Sequence, residues 1–242
     1  MPATFFLVSG YLDSKNGYWW DDLEQILLKP GDISTLFNLP INWADYDLDW
    51  RSASTYSIED FQRYKDWHWE DQDPTPRHTF FRALYSKLRM QPEEQRQKIM
   101  DRLLNWSEKI YAPSPDRQLL SSEEVVSLAS EELFEIGAHT ETHSDLVSLS
   151  ILQRQKEIVE SKQTLEKLTG NAIHSFSYPY GIYAQEIISL VREAGFTCAC
   201  STEEGIVKST TDHFLLPRYQ VKDWNADQFT SKISSYIMKL KN

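Results

Sequence analysis

Two histidines four residues apart, His139 and His143, follow a short apolar run and enclose Thr140-Glu141-Thr142. Imidazole nitrogen suits zinc or a similar divalent ion, and a catalytic centre usually takes three protein ligands and leaves one position open. Two His at i and i+4 converge only on a helical turn or a tight loop, and the threonine hydroxyls between them are placed to cap such a turn. In an H-E-x-x-H protease the glutamate directly follows the first His on a long helix. Here Glu141 sits mid-pair after a strand-like segment, which excludes that chemistry. An arbitrary H-x-x-x-H is most often two exposed side chains, so the surrounding chain must decide. A second turn of interest, Pro179-Tyr180-Gly181, follows the next strand-like run.

The elements that must position these residues form an alternating series. Thr4 to Ser9 reads as a buried strand closed by Gly10, and Trp20 to Leu28 as a helix. From about 31 to 120 the chain becomes charged, Trp-rich and helical, with Ser57/Asp60 as a capping signal. Pro92 opens a further helix carrying Ile99, Leu103, Trp106 and Ile110 at helical spacing. Breaks fall at Asp71–Pro76 and Ala112–Pro115. This stretch is predicted to be a helical insertion in a single domain spanning 1–242. Beyond it, strands are predicted at 134–138, 174–178, 196–201 and 214–216. Helices are predicted at 151–168, with a stripe of Ile151, Ile158, Leu165 and Leu168, at 184–194, and from Asn225 to Leu240. Strand alternating with helix through short connections is the pattern of a parallel sheet or barrel, where functional groups gather at the strand ends.

Composition narrows the function classes. A net charge of −11 leaves no basic stripe for nucleic acid. No apolar run approaches the ~20 residues that span a bilayer, and no basic segment precedes the first strand as in a secretory signal, so a cytoplasmic location is the default expectation. Aromatics reach 13%, and Trp67-His68-Trp69 has the look of a sugar platform, although aromatics on an insertion more often pack inward. Cys198 and Cys200 are not read as a disulfide.

Taken in order, "EIGAHTETHSDL", "SKQTLEKLTG", "SFSYPYG" and "LVREAGFTCACSTEEGIV" resemble the polysaccharide deacetylases of carbohydrate esterase family 4. "PATFFLVSG" resembles the segment just after that family's first motif. The similarity runs from residue 2 to about 224 and is weakest over the insertion. It implies an α/β fold, a distorted (β/α) barrel of the polysaccharide deacetylase type, N-terminally truncated and carrying the helical insertion. It also implies a metal-dependent hydrolase that removes acetyl groups from N-acetylated, or O-acetylated, oligo- or polysaccharides, with a divalent metal, zinc foremost, as cofactor. By the resemblance His139 and His143 are metal ligands, and the backbone N–H of Tyr180 stabilises the oxyanion. Pro179 and Trp224 fall at substrate-binding positions.

The departures from the family pattern are equally specific. The T-F-D-D-G motif, which supplies a metal-binding Asp and the general base, has no counterpart. Ser177 stands where an Arg is expected, and Leu216-Pro217-Arg218 replaces L-x-H, so that Arg218 is a candidate for oxyanion stabilisation, for the role lost at Ser177, or for a structural ion pair. Asp223-Trp224 is similar to a D-x-x-D-W motif but falls late in the order. These gaps leave open a chain inactive as it stands, and two alternatives: a non-catalytic glycan-binding or scaffold protein, and a gene fragment with a misassigned start.

Overall fold

The computed structural model describes residues 2–14, 17–33, 50–106 and 118–238. The chain divides into two compact units, Met1–Gly10 with Val125–Asn242, and Tyr11–Glu124. The insertion expected at 31–120 thus lies within a unit that starts at Tyr11 and takes in the preceding helix. Ile110, the Ala112–Pro115 break and Leu240 fall outside the described residues.

The first unit is built on four parallel strands: β1 (Ala3–Leu7), β4 (Phe134–Ala138), β5 (Ser175–Ser177) and β6 (Cys198–Cys200), ordered β1-β4-β5-β6. Each strand after β1 adds to the same side in chain order, without the reversal of a doubly wound sheet. This is the α/β, barrel-type progression that the alternating sequence pattern implies. β1 and β4 run in register from Ala3↔Phe134 to Leu7↔Ala138. Gly137 lies between Phe6 and Ser175, and a Cβ there would stand 2.6 Å from the Phe6 ring and 2.9 Å from the Ser175 hydroxyl.

The strand expected at 214–216 is reduced to a single parallel bridge, Cys200↔Leu216. The Phe214 N–H is taken by the Asp212 carboxylate and the Leu215 N–H by the Asp212 carbonyl. Pro217 then offers no N–H to continue a ladder. Cys198 and Cys200 are free thiols.

α7 (Ile151–Thr169) starts at a Ser150/Gln153 capping box and stops at Gly170, whose φ of 71° is the left-handed C-cap that glycine adopts without strain. It packs on β4 and on α8 (Gln185–Glu193). Its buried residues are Glu157, Ile158, Ser161 and Leu165. Ile151, expected on the apolar stripe, is instead 61% exposed, because it is the first residue of the helix and lies about two turns before Ile158, where burial begins on that face. α9 (Ala226–Met238) closes the described chain. No helix among the described residues is long and apolar enough to cross a membrane.

The second unit has its own core. α1 (Trp19–Leu27), α4 (Pro76–Arg89) and α5 (Glu93–Trp106) bury Leu23, Leu27, Leu84, Leu88, Met100 and Leu103 against one another. Between α1 and α4 lie the two-residue strands β2 (Gly31–Asp32) and β3 (Thr55–Tyr56), paired antiparallel, with α2 (Trp50–Ala53) and α3 (Ile58–Tyr64) beside them in sequence. Ser57 and Asp60 form the expected capping box. Arg77, 1% exposed, donates to the carbonyls of Ala53, Leu27, Gly31 and Ser54. One guanidinium thereby satisfies the chain ends left open around α1 and β2. Trp67 and Trp69 pack within this unit: Phe81 meets both edge-on, and the Arg82 guanidinium lies 5.2 Å and 4.6 Å from their ring centroids. The remaining element, α6 (Ser122–Ala129), leads the chain back to β4.

Candidate functional site

The site lies at the C-terminal ends of β4 and β5. Beyond β4 the strand pairing persists as single bonds: His139 N–H to the Leu7 carbonyl, Ser9 N–H to that of Thr140, and Gly10 N–H to that of Glu141. The chain then reverses. Thr140 and His143 take left-handed φ angles of 67° and 55°, uncommon for residues with a Cβ and characteristic of functional turns. The Thr140 hydroxyl, on a fully buried residue, accepts the His143 N–H at 3.0 Å, so a threonine caps the turn as its spacing suggested. The result brings the two imidazoles to a centroid distance of 4.7 Å, edge to face.

His139 is half-buried, and its Nδ1 lies 2.7 Å from the Ser177 carbonyl oxygen. A carbonyl can only accept, so Nδ1 carries the proton and Nε2 presents its lone pair. Burial pushes the His139 pKa down to about 4, with the nearby Arg218 charge adding to that shift and the Ser177 hydrogen bond opposing it. A neutral ring with its second nitrogen anchored by a carbonyl is the form a metal ligand requires.

The second turn presents Tyr180. Pro179–Gly181 is a 3-10 turn in which Tyr180 has φ 59° and ψ 4°, and its ring meets His143 at 4.6 Å, edge to face. Gly181 follows with φ 69°, and a Cβ at that position would fall 1.9 Å from the Thr202 hydroxyl. Tyr178, the residue before the turn, is buried and donates its hydroxyl to the Phe214 carbonyl.

The matched family is described as polysaccharide deacetylase, and its model covers residues 90–199. That segment is similar to the polysaccharide deacetylase family. The chain is also 25% identical over 122 residues to a putative polysaccharide deacetylase, YxkH, of Bacillus subtilis (strain 168), covering 50% of this chain and 42% of that one. Among solved structures it is similar to BC0361, a polysaccharide deacetylase from Bacillus cereus, at 21% identity and TM-score 0.43, over 57% of this chain and 48% of that one. It is also similar to the Streptococcus pyogenes deacetylase PplD at 16% identity and TM-score 0.44, over 55% and 63%. The chain thus spans less than half the length of the Bacillus subtilis and Bacillus cereus proteins.

Within residues 90–199 the structure brings His139, His143 and Tyr180 into one ring cluster, with Pro179 buried at the start of the Tyr180 turn. Arg218, beyond the segment, lies close enough for its charge to act on His139. It donates through Nη2 to the Ser177 hydroxyl at 3.2 Å and through Nε to the Ser201 carbonyl at 2.8 Å. Its guanidinium therefore lies beside Ser177 and makes hydrogen bonds there, with no ion pair among the described residues. Trp224 is different: half-buried in the loop before α9, it has no ring contact with the cluster among the described residues.

No group of three or more His, Cys, Asp or Glu placed to hold a metal ion occurs among the described residues. The tautomer of His139 and the closeness of the two rings fit a divalent ion, and the ligand number is one short of the usual three. Sequence reasoning missed two participants. The Ser177 carbonyl is a backbone group and leaves no trace in residue type. Glu157 does leave one, as an acidic residue one position before Ile158 on the inward stripe of α7.

Proposed function

We propose that this chain acts on the acetyl groups of N-acetylated or O-acetylated glycans, as a metal-dependent hydrolase in which His139 and His143 are two ligands of a divalent ion. The observation that carries the reading is the neutral, Nδ1-anchored His139 ring beside His143 and Tyr180 at the ends of adjacent parallel strands. His139 and His143 would hold a divalent ion there, and such an ion would polarise the acetyl carbonyl and lower the pKa of a coordinated water to about 7. The chain's own contributions are then separable. Ser177 fixes the His139 tautomer. Tyr180, carried on a left-handed turn, is assigned as the backbone oxyanion donor, worth about 3 kcal/mol of transition-state stabilisation. Arg218 holds Ser177 and keeps positive charge near His139.

Two imidazoles without a carboxylate bind zinc weakly, and the general base of the family is not among the described residues. That ligand number favours the second reading, a glycan-binding chain that retains the cleft without turnover. Zinc titration of the chain together with acetate release from N-acetylated oligosaccharides separates them. The hydrolase reading expects zinc binding and acetate release that both disappear in His139→Ala. Glycan binding with no zinc-dependent release supports the second reading and overturns the first.

A further inference from the structure

We infer that Glu157 is the positioning residue of the histidine turn. Its carboxylate, on a side chain projecting from α7, is 7% exposed and receives three donors. Oε2 accepts the Glu141 N–H at 3.0 Å and the Thr142 N–H at 2.8 Å, and Oε1 accepts the Thr142 hydroxyl at 2.6 Å. The Thr142 hydroxyl is also 2.8 Å from that of Ser144, which extends the chain of hydrogen bonds past His143. No basic side chain is paired with Glu157 among the described residues; Lys156, its neighbour, bridges Glu141 and Glu160 instead. A buried carboxylate balanced by converging backbone N–H groups and a hydroxyl is a rigid anchor, since charge-assisted hydrogen bonds are the stronger kind and hold their geometry.

The two residues it grips are those between the histidines. Their flanks, Thr140 and His143, are the left-handed residues of the turn, so the turn needs external fixation to hold those angles. On its other side the Glu141 carbonyl is held by the Gly10 N–H at 2.8 Å. The peptide between the histidines is thus clamped from β1's end and from α7, and both imidazoles project from a frame that Glu157 completes. Glu157 acts on both rings through the turn residues Glu141 and Thr142 that it holds.

The inference rests on the metal-ligand reading for its consequence, so the test has two arms. Glu157→Gln keeps the shape but replaces one oxygen by an NH2 group and removes the charge, and Glu157→Ala removes the anchor. Glu160→Gln, a change at a half-buried residue of the same helix that does not touch the turn, is the control. In the first arm zinc affinity is measured by competition with a chelator. A His139- and His143-dependent affinity that falls 10–100-fold in Glu157→Gln, with far-ultraviolet circular dichroism unchanged and the control unaffected, is the expected result. In the second arm, on the metal-free protein, ring-to-ring nuclear Overhauser contacts between His139, His143 and Tyr180 should weaken in both Glu157 variants and persist in the control. A parent chain that binds no zinc through the histidines removes the metal reading and leaves this inference to the second arm. Ring contacts and affinity equal to the parent's in Glu157→Gln overturn the positioning role, as do unchanged ring contacts in a folded Glu157→Ala.

Discussion

Gly181→Ala should displace the turn that presents Tyr180, and the structure sets the size of the effect. A Cβ at residue 181 would lie 1.9 Å from the Thr202 hydroxyl oxygen, 2.6 Å from Cγ2 and 2.7 Å from Cβ. Because the Cβ of Thr202 is itself inside contact range, rotating its χ1 does not clear the space. The left-handed φ of 69° costs an L-residue about 1–2 kcal/mol, and overpacking of this kind adds about 1–3 kcal/mol, giving a destabilisation of roughly 2–5 kcal/mol if the terms add. Thr202→Gly in the same chain removes the overlap but not the φ strain. The double variant should therefore regain about 1–3 kcal/mol relative to the sum of the single changes, a coupling that a double-mutant cycle reads directly. Urea denaturation of the four proteins supplies the free energies, and the His143–Tyr180 ring contact at 4.6 Å, followed by nuclear Overhauser spectroscopy, reports whether the turn has moved. A Gly181→Ala protein within about 0.5 kcal/mol of the parent, or one whose loss is independent of residue 202, would refute the reasoning, because either outcome means that strain and overlap are not what selects glycine.

Three further outcomes are expected. Nitrogen-detected NMR of the metal-free chain should show His139 as the Nδ1–H tautomer and neutral down to a pH of about 4; since Arg218 contributes to that depression, Arg218→Met should move the value upward. The linked stability is complete above the unfolded pKa near 6.5 and is lost as pH falls from there toward 4, because in that window only the unfolded state binds the proton; the total is on the order of 3 kcal/mol, measurable by urea denaturation across the window. Arg77→Lys should destabilise the helical unit by about 3 kcal/mol or more, read from the urea dependence of Trp fluorescence, because a single ammonium cannot span the four carbonyls of Ala53, Leu27, Gly31 and Ser54; an unchanged midpoint would show that water takes over those bonds.

Local rules made much of the fold legible. A short apolar run ending at the histidine pair placed β4 at 134–138, its observed bounds. Helix stops followed from glycine at 170, and starts from the Ser57/Asp60 pair. Periodicity failed where a residue's burial depends on distant partners: Ile151 fits the stripe of α7 by spacing yet is exposed, and Phe214–Leu216 has strand composition but spends the Phe214 and Leu215 amides on Asp212, leaving only that of Leu216 for β6.

The sequence by itself determined which residues could do chemistry, since an H-x-x-x-H after a strand and a P-Y-G turn after the next one are statements about residue type and spacing over a few positions. Only the tertiary structure decided how those residues are held. The Ser177 carbonyl that sets the His139 tautomer is 38 residues away in the chain, the Arg218 that reaches Ser177 is 41 away, and the Glu157 that grips Thr142 is 15 away. A hydrogen bond requires donor and acceptor within about 3 Å, a condition on space and not on sequence distance. The parallel sheet, by stacking strand ends that are far apart along the chain, is what brings these groups within that range.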